Sequence, residues 1–216
     1  MGKSEDTRAK ILEAAVELFR TQSFEAATMR EIAKRAGVAV GAAYYYFPSK
    51  DAIVLAFYEQ AQRDLTPKLE EVLASGSDLK KRLAGLMTAK LEYFAPSRRL
   101  LGALAAHADP DDALSPFSEA SRPIREGDTE FFKRALEGSR VKVPADLAPH
   151  LPGLLWMYQM GIIMFWIYDK SPEQAKTQAL RDKSLEIVVA LIRLAGLPLM
   201  KPVRRVLVDL VETVIA

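Results

Sequence analysis

The chain has 216 residues, 50% of them apolar and 27% charged; that is enough apolar side chain for a core in one long domain or two short ones, and it excludes disorder as the main state. Lysines and arginines number 30 against 28 acids, so the net charge of +2 excludes a whole-molecule field drawing the chain onto nucleic acid or lipid, and any basic surface has to be local. The absence of cysteine rules out disulfides, thiolate metal sites, iron–sulfur clusters and a cysteine nucleophile, and it fits a reducing compartment.

Apolar spacing of three and four is nearly everywhere and period-two alternation is scarce, so an all-helical chain is predicted. The amino terminus, Met1 to Asp6, is polar without the apolar run of a secretory signal, and a cytoplasmic location is expected. Over Glu5 to Gln22 the residues Ile11, Leu12, Ala15, Val16, Leu18 and Phe19 form one stripe, with Glu5 and Asp6 at the positive end of the helix dipole. Thr28-Met29-Arg30-Glu31 has the spacing of a capping box, and the helix it opens runs to about Ala36, where Gly37 stops it. A short helical segment, Val40 to Tyr46, is closed by Phe47-Pro48, and Ser49 caps a long helix from Lys50 to about Ala74.

Further helices are predicted near 78–95, 98–107 and 116–138, then over Ala145–Tyr168, Pro172–Ala195 and Val203–Val214. Leu151 to Tyr168 is uncharged and just long enough to span a membrane. Pro152, Gly153 and Gln159 interrupt it and an amphipathic segment follows, so a buried central helix is the better reading and no membrane partner is expected.

Charge is local. Residues 1–50 hold eight basic and six acidic side chains, so the remainder sums to zero. Within 26–50, Arg30, Lys34, Arg35 and Lys50 stand against Glu31 alone, beside Tyr44, Tyr45, Tyr46 and Phe47. Cations displace phosphate counterions and tyrosine hydroxyls donate to phosphate oxygens, which suits a nucleic-acid backbone. A helix-turn-helix needs a small residue where its helices touch, a glycine at the reversal and an apolar anchor on the second helix. Ala33, Gly37 and Ala43 supply these three in that order, with Ile32, Val38 and Phe47 to pack beneath. The second helix of such a unit enters the major groove, and here it is Val40 to Tyr46.

These residues resemble the TetR family of bacterial ligand-responsive transcriptional regulators. The resemblance rests on Thr28-Met29-Arg30-Glu31-Ile32-Ala33, Ala36-Gly37-Val38, Gly41 and the run from Tyr44 to Ile53, and covers roughly the first 60 residues. It implies a helix-turn-helix DNA-binding domain over 1–50 with its motif at about 28–47, and a linking helix over 51–75. A helical effector-binding and dimerisation domain would follow over 76–196, then an extra helix over 197–216 whose role stays open. Carried over by position, Thr28 and Arg30 would touch phosphates and Val40, Gly41 and Ala42 would face bases. Tyr44, Tyr45 and Tyr46 would contact backbone, and Lys50 would lie near a phosphate. On packing grounds Tyr46 is expected partly in the core and Tyr44 and Tyr45 outside it.

Four residues depart from the family's pattern. Ser23 stands where glycine is common, and a left-handed conformation there would cost roughly 1–2 kcal/mol. Ala39 replaces a capping serine, a loss of about 1 kcal/mol. Val40 and Ala42 replace polar residues, which favours thymine methyls or duplex shape over hydrogen-bond readout.

The rest of the chain argues against catalysis. His107 and His150 lack the close second ligand of a metal motif, and His107 reads as a pocket lining or a satisfied core group. Asp109, Asp111 and Asp112 start like a calcium loop, but Leu114 and Ala120 replace its glycine and glutamate. No nucleophile elbow, phosphate loop or dinucleotide fingerprint occurs, and Glu70 and Glu71 point apart on a helix; no enzyme activity, metal or cofactor is expected.

Phe94, Leu104, His107, Phe131, Trp156, Tyr158, Met160, Met164 and Trp166 are candidates for an effector pocket, since aromatics and methionines enclose adaptable apolar cavities. Ile162, Phe165, Leu180, Leu185, Val188, Leu191 and Ile192, on two adjacent apolar helices, are candidates for a homodimer interface. The expected function is a repressor that binds a palindromic operator in double-stranded DNA as a dimer and is released by a small apolar effector. The coupling route would be the helix Lys50–Ala74, changing a recognition-helix spacing of roughly 34–36 Å. The competing expectation is a helical ligand-binding or interaction protein without operator affinity.

Overall fold

Helices form wherever the three-and-four spacing runs between breakers, and the computed structural model, which describes residues 3–215, has no strand among them. Part of the reading of the amino terminus, Met1 and Gly2, lies outside the described residues. The chain runs through α1 (Lys3–Thr21), α2 (Met29–Ala36), α3 (Val40–Tyr46), α4 (Lys50–Ala74) and α5 (Leu79–Phe94). It continues through α6 (Arg98–Leu104), α7 (Arg122–Glu137), α8 (Leu151–Tyr168), α9 (Ala175–Ala195) and α10 (Lys201–Ile215).

The predicted helices beyond α5 differ at their ends for identifiable reasons. α7 begins at Arg122 rather than 116 because serine hydroxyls capture the preceding backbone: Ser115 Oγ accepts from the Phe117 amide and Ser118 Oγ from the Ser121 amide, both at 3.2 Å. α6 stops at Leu104, with the His107 amide turned back onto the Leu104 carbonyl. α8 begins at Leu151 rather than Ala145, because a longer helix would drive the Pro152 ring into the Ala148 carbonyl. α9 begins at Ala175, since Glu173 (φ 50°) and Gln174 (φ 51°) are left-handed.

The chain forms two compact units, Met1–Asp64 with Tyr93–Arg125 and Leu65–Glu92 with Glu126–Ala216. In the first, Ile11, Phe19, Ile32, Phe47 and Ile53 are fully buried, and Phe57 and Phe94 meet edge to face at 5.7 Å. Arg20 donates to Ser97 Oγ at 2.9 Å and Arg99 to the Gln22 carbonyl at 3.1 Å, tying the end of α1 to the start of α6.

The second unit is cored by Leu79, Leu83, Met87, Phe132 and Leu185. Charged groups inside it are paired: Lys90 with Asp128, and Arg134 with Glu70 through two bonds of 2.6 Å. At the end of α8, Asp169 accepts from the Ser171 and Thr177 amides and hydroxyls at 2.7–2.9 Å. Burial would raise this carboxyl, but the four donors outweigh it and hold it well below the usual carboxylate range.

α8 buries one side within its own unit and leaves the other open. Among the described residues it is the one helix long and apolar enough to cross a membrane. Leu155, Trp156, Gln159, Ile162 and Trp166 face inward, while Met157, Met164, Phe165 and Tyr168 are exposed.

Candidate nucleic-acid interface

Local chemistry fixes the α2–turn–α3 unit. The Glu31 amide donates to the Thr28 hydroxyl at 3.2 Å and Glu31 Oε2 accepts from the Thr28 amide at 2.9 Å, so the capping box closes in both directions. The Thr28 hydroxyl also donates to Glu31 Oε2 at 2.8 Å, and its bonding with that of the Thr28 amide lowers the Glu31 carboxyl pKa. Gly37 takes φ 68° at the end of α2, a conformation that favours glycine. Ile32, Ala33, Ala43 and Phe47 are buried, so the predicted crossing residue Ala33 and the predicted anchor Ala43 both lie in the core of the unit.

α3 then has one outward side. Tyr45 is 82% exposed and Tyr44 49%, Val40 and Gly41 are exposed, Ala42 is half-buried and Ala43 faces the core. Tyr46 is half-buried, its hydroxyl sharing a 3.1 Å hydrogen bond with Ser4 Oγ and its ring edge to face with Tyr45 at 5.2 Å. Ala39 occupies the cap of α3 without a side-chain bond, as its methyl dictates. Ser23 is not left-handed: its hydroxyl accepts from the Ala26 amide at 3.2 Å, so a serine turn replaces the glycine turn without strain.

The four motif cations divide. Arg30 and Lys34 are exposed and make no salt bridge among the described residues. Arg35 is paired with Glu17, its Nε donating to Oε2 at 3.0 Å. Lys50, expected at a phosphate, is turned inward instead: its ammonium donates to the Phe24 carbonyl at 2.6 Å and the Glu25 carbonyl at 3.3 Å, and lies 4.6 Å over the Phe24 ring. Sequence reading also missed Ser4 and Arg8, whose guanidinium stacks 4.8 Å from the Phe47 ring centre. Their spacing of four, continuing three residues on into buried Ile11, puts exposed Ser4 and half-buried Arg8 on the side of α1 that meets the end of α3.

The effector and interface residues also sort by exposure. Phe94, Leu104, Trp156 and Trp166 are buried, and His107, Phe131, Tyr158 and Met160 half-buried. His107 Nδ1 is 2.5 Å from Asp112, and the Tyr158 and Ser184 hydroxyls are 2.5 Å apart. Met164, expected to line a cavity, is exposed beside Phe165 on the outer face of α8, where both line an open pocket with Tyr168 and Lys176. Of the interface set, Ile162, Leu185 and Ile192 are buried within their own unit, whereas Phe165, Leu180 and Leu191 are exposed and Val188 half-buried. Met157, Tyr168, Ile187 and Leu194 complete the exposed apolar side chains of α8 and α9.

Residues 11–57 match the family described as bacterial regulatory proteins, tetR family, and residues 82–213 match the tetracyclin repressor-like C-terminal domain. The transcriptional repressor KstR2 of Rhodococcus jostii is 36% identical over 91 residues, 42% of this chain and 44% of that relative. The chain thus spans less than half of that relative's length. Two solved structures share the fold: FadR of Thermus thermophilus in complex with lauroyl-CoA (TM-score 0.61, 24% identity, 83% of this chain and 93% of that one) and FadR of Bacillus subtilis in complex with stearoyl-CoA (TM-score 0.64, 18% identity, 84% and 97%).

Proposed function

The chain belongs to the TetR family of bacterial regulatory proteins, and on that premise we propose that it is a DNA-binding transcriptional repressor, acting as a homodimer on a palindromic operator. The observation that carries this reading is the outward side of α3. Val40, Gly41, Tyr44 and Tyr45 stand clear of the core, and the exposed cations Arg30 and Lys34, with no salt bridge among the described residues, lie one helix away, an apolar reading edge with local positive charge. Val40 and Ala42 offer no hydrogen-bonding side chain, so base contacts fall on thymine methyls and duplex shape.

The protein regulates by binding, in the cytoplasm, and a small apolar effector releases it. Because the two FadR relatives hold lauroyl-CoA and stearoyl-CoA, acyl thioesters are the first class to screen. α4 contributes residues to both compact units and is the coupling element in this proposal.

Selection from random duplexes tests the reading. Enrichment of a near-palindrome whose half-sites lie one helical turn apart, or a multiple of it, is the expected result. No enrichment even at low salt would overturn it in favour of a helical binding protein without operator affinity.

A further inference from the structure

Gln159 is the only amide side chain in α8, a helix of 18 residues without a charge, and it lies on the inward side. Leu155 and Trp156 stand one turn before it, Ile162 one turn after it and Trp166 one turn beyond that, all four buried. Gln159 itself is 2% exposed, and its Nε2 has no hydrogen-bond partner among the described residues. Native interiors pair nearly all such donors, because an N–H that has left water without reaching an acceptor destabilises the fold. A leucine would fill nearly the same space without that loss. The amide thus weakens the empty protein, and what would reverse the sign is an acceptor from outside the chain.

We propose that Gln159 is the polar anchor of the effector site, its Nε2 donating to a neutral carbonyl oxygen, that of a ketone or an ester, on an otherwise apolar molecule. This deepens the effector reading above and rests on it. The chemistry around the amide selects the class. Leu155, Trp156, Ile162 and Trp166 offer hydrocarbon and ring surface along the same side of the helix, which suits an apolar body. An anionic head group would need a cation of its own when buried. Lys90, Arg181 and Arg204, in the same unit, are already paired with Asp128, Asp182 and Asp146. A hydrocarbon without oxygen would leave the amide as unpaired as it is in the empty protein, so binding gains from Gln159 only when the molecule brings an acceptor. The same asymmetry gives selectivity, because a buried donor rejects a molecule lacking the acceptor more sharply than an apolar wall rejects one of slightly different size.

Trp156 and Trp166 are the only tryptophans, so their emission reports a molecule arriving at this side of α8. The probe is 2-nonanone, with nonanoate as its charged counterpart, titrated into the whole chain, and the variants are Gln159→Leu and Gln159→Met. Without probe, both variants should melt higher than wild type with unchanged helical circular dichroism. With 2-nonanone, wild type should give a saturable change in emission, and the variants should bind at least about threefold more weakly, as expected for the loss of one neutral hydrogen bond. Nonanoate should bind wild type more weakly than the ketone does. Variants that melt at or below wild type would mean that a bound water or the chain itself satisfies the amide, and would overturn the proposal. So would equal affinity of wild type and variants, binding of nonanoate at least as tight as that of the ketone, or no saturable response to 2-nonanone. Operator selection reads out separately: a near-palindrome enriched despite such a failure leaves the repressor reading standing, and a response that depends on Gln159 without an enriched operator leaves the anchor standing without it.

Discussion

The Lys50 ammonium donates to the Phe24 carbonyl across 26 residues of sequence, and its charge lies over the ring of the same Phe24. One side chain at the start of α4 thereby satisfies the carbonyls of the turn between α1 and α2 and holds that turn against the recognition unit. A cation so engaged is poorly placed to displace a counterion from DNA. Lys50→Gln should therefore cost about 1.5–3 kcal/mol of stability, the range for a hydrogen bond to a charged group, and leave the slope of log affinity against log salt unchanged. Arg30→Ala should do the reverse, flattening the slope by up to about one unit at wild-type stability. Titrating both variants at four salt concentrations decides which cation faces phosphate.

Tyr45 is almost free of the core, so its loss should be felt by DNA and not by folding. Tyr45→Ala is expected to weaken operator binding by roughly fivefold or more, equivalent to about 1 kcal/mol for one contact, with the melting temperature unchanged. Wild-type affinity in a fluorescence anisotropy titration would remove α3 from the groove.

Ala39 leaves the first turn of α3 without a side-chain acceptor although its backbone is already extended, φ −65° and ψ 147°. A hydroxyl introduced there meets a compatible geometry. Ala39→Ser should raise stability by about 1 kcal/mol, read as a higher midpoint in urea with an unchanged slope.

What the sequence made legible was whatever depends on near neighbours. The capping box of Thr28 and Glu31, the reversal at Gly37 and the bounds of α3 all follow from spacings of a few residues. Tertiary partners were not legible: nothing local ties Lys50 to Phe24 or Arg35 to Glu17, so both cations read as open. Helical phase also failed in α8. Apolar residues on every side leave no pattern from which to tell buried Ile162 from exposed Phe165. The left-handed pair at Glu173 and Gln174 carried no glycine signal, since bonds from Ser171 and Thr177 to Asp169 hold the surrounding turn in place.

That same Asp169 sets a pH dependence. Its carboxyl is held below its unfolded value, so the stability it contributes is complete above about pH 5, where the unfolded side chain is ionised, and is lost as pH falls through the folded value. Asp169→Asn should melt lower than wild type at pH 7, and the gap should narrow steadily from pH 5 to pH 3. A gap independent of pH would mean that the carboxylate charge plays no part in holding the α8–α9 turn.

Leu185 and Leu191 are six residues apart on α9, yet the first is fully buried and the second 56% exposed. If α8 and α9 present the dimer surface through their exposed side chains alone, the two positions must respond differently. Leu191→Glu should lower self-association at least about tenfold, as expected for a charge at the centre of an apolar interface, while circular dichroism and melting of the monomer stay as in wild type. Leu185→Ala should cost about 3 kcal/mol by opening a cavity in the core and leave the association of the folded fraction intact. Sedimentation at several protein concentrations beside thermal melts separates the two effects; loss of stability without loss of association at Leu191 would place that residue in the monomer's core and the dimer contact elsewhere.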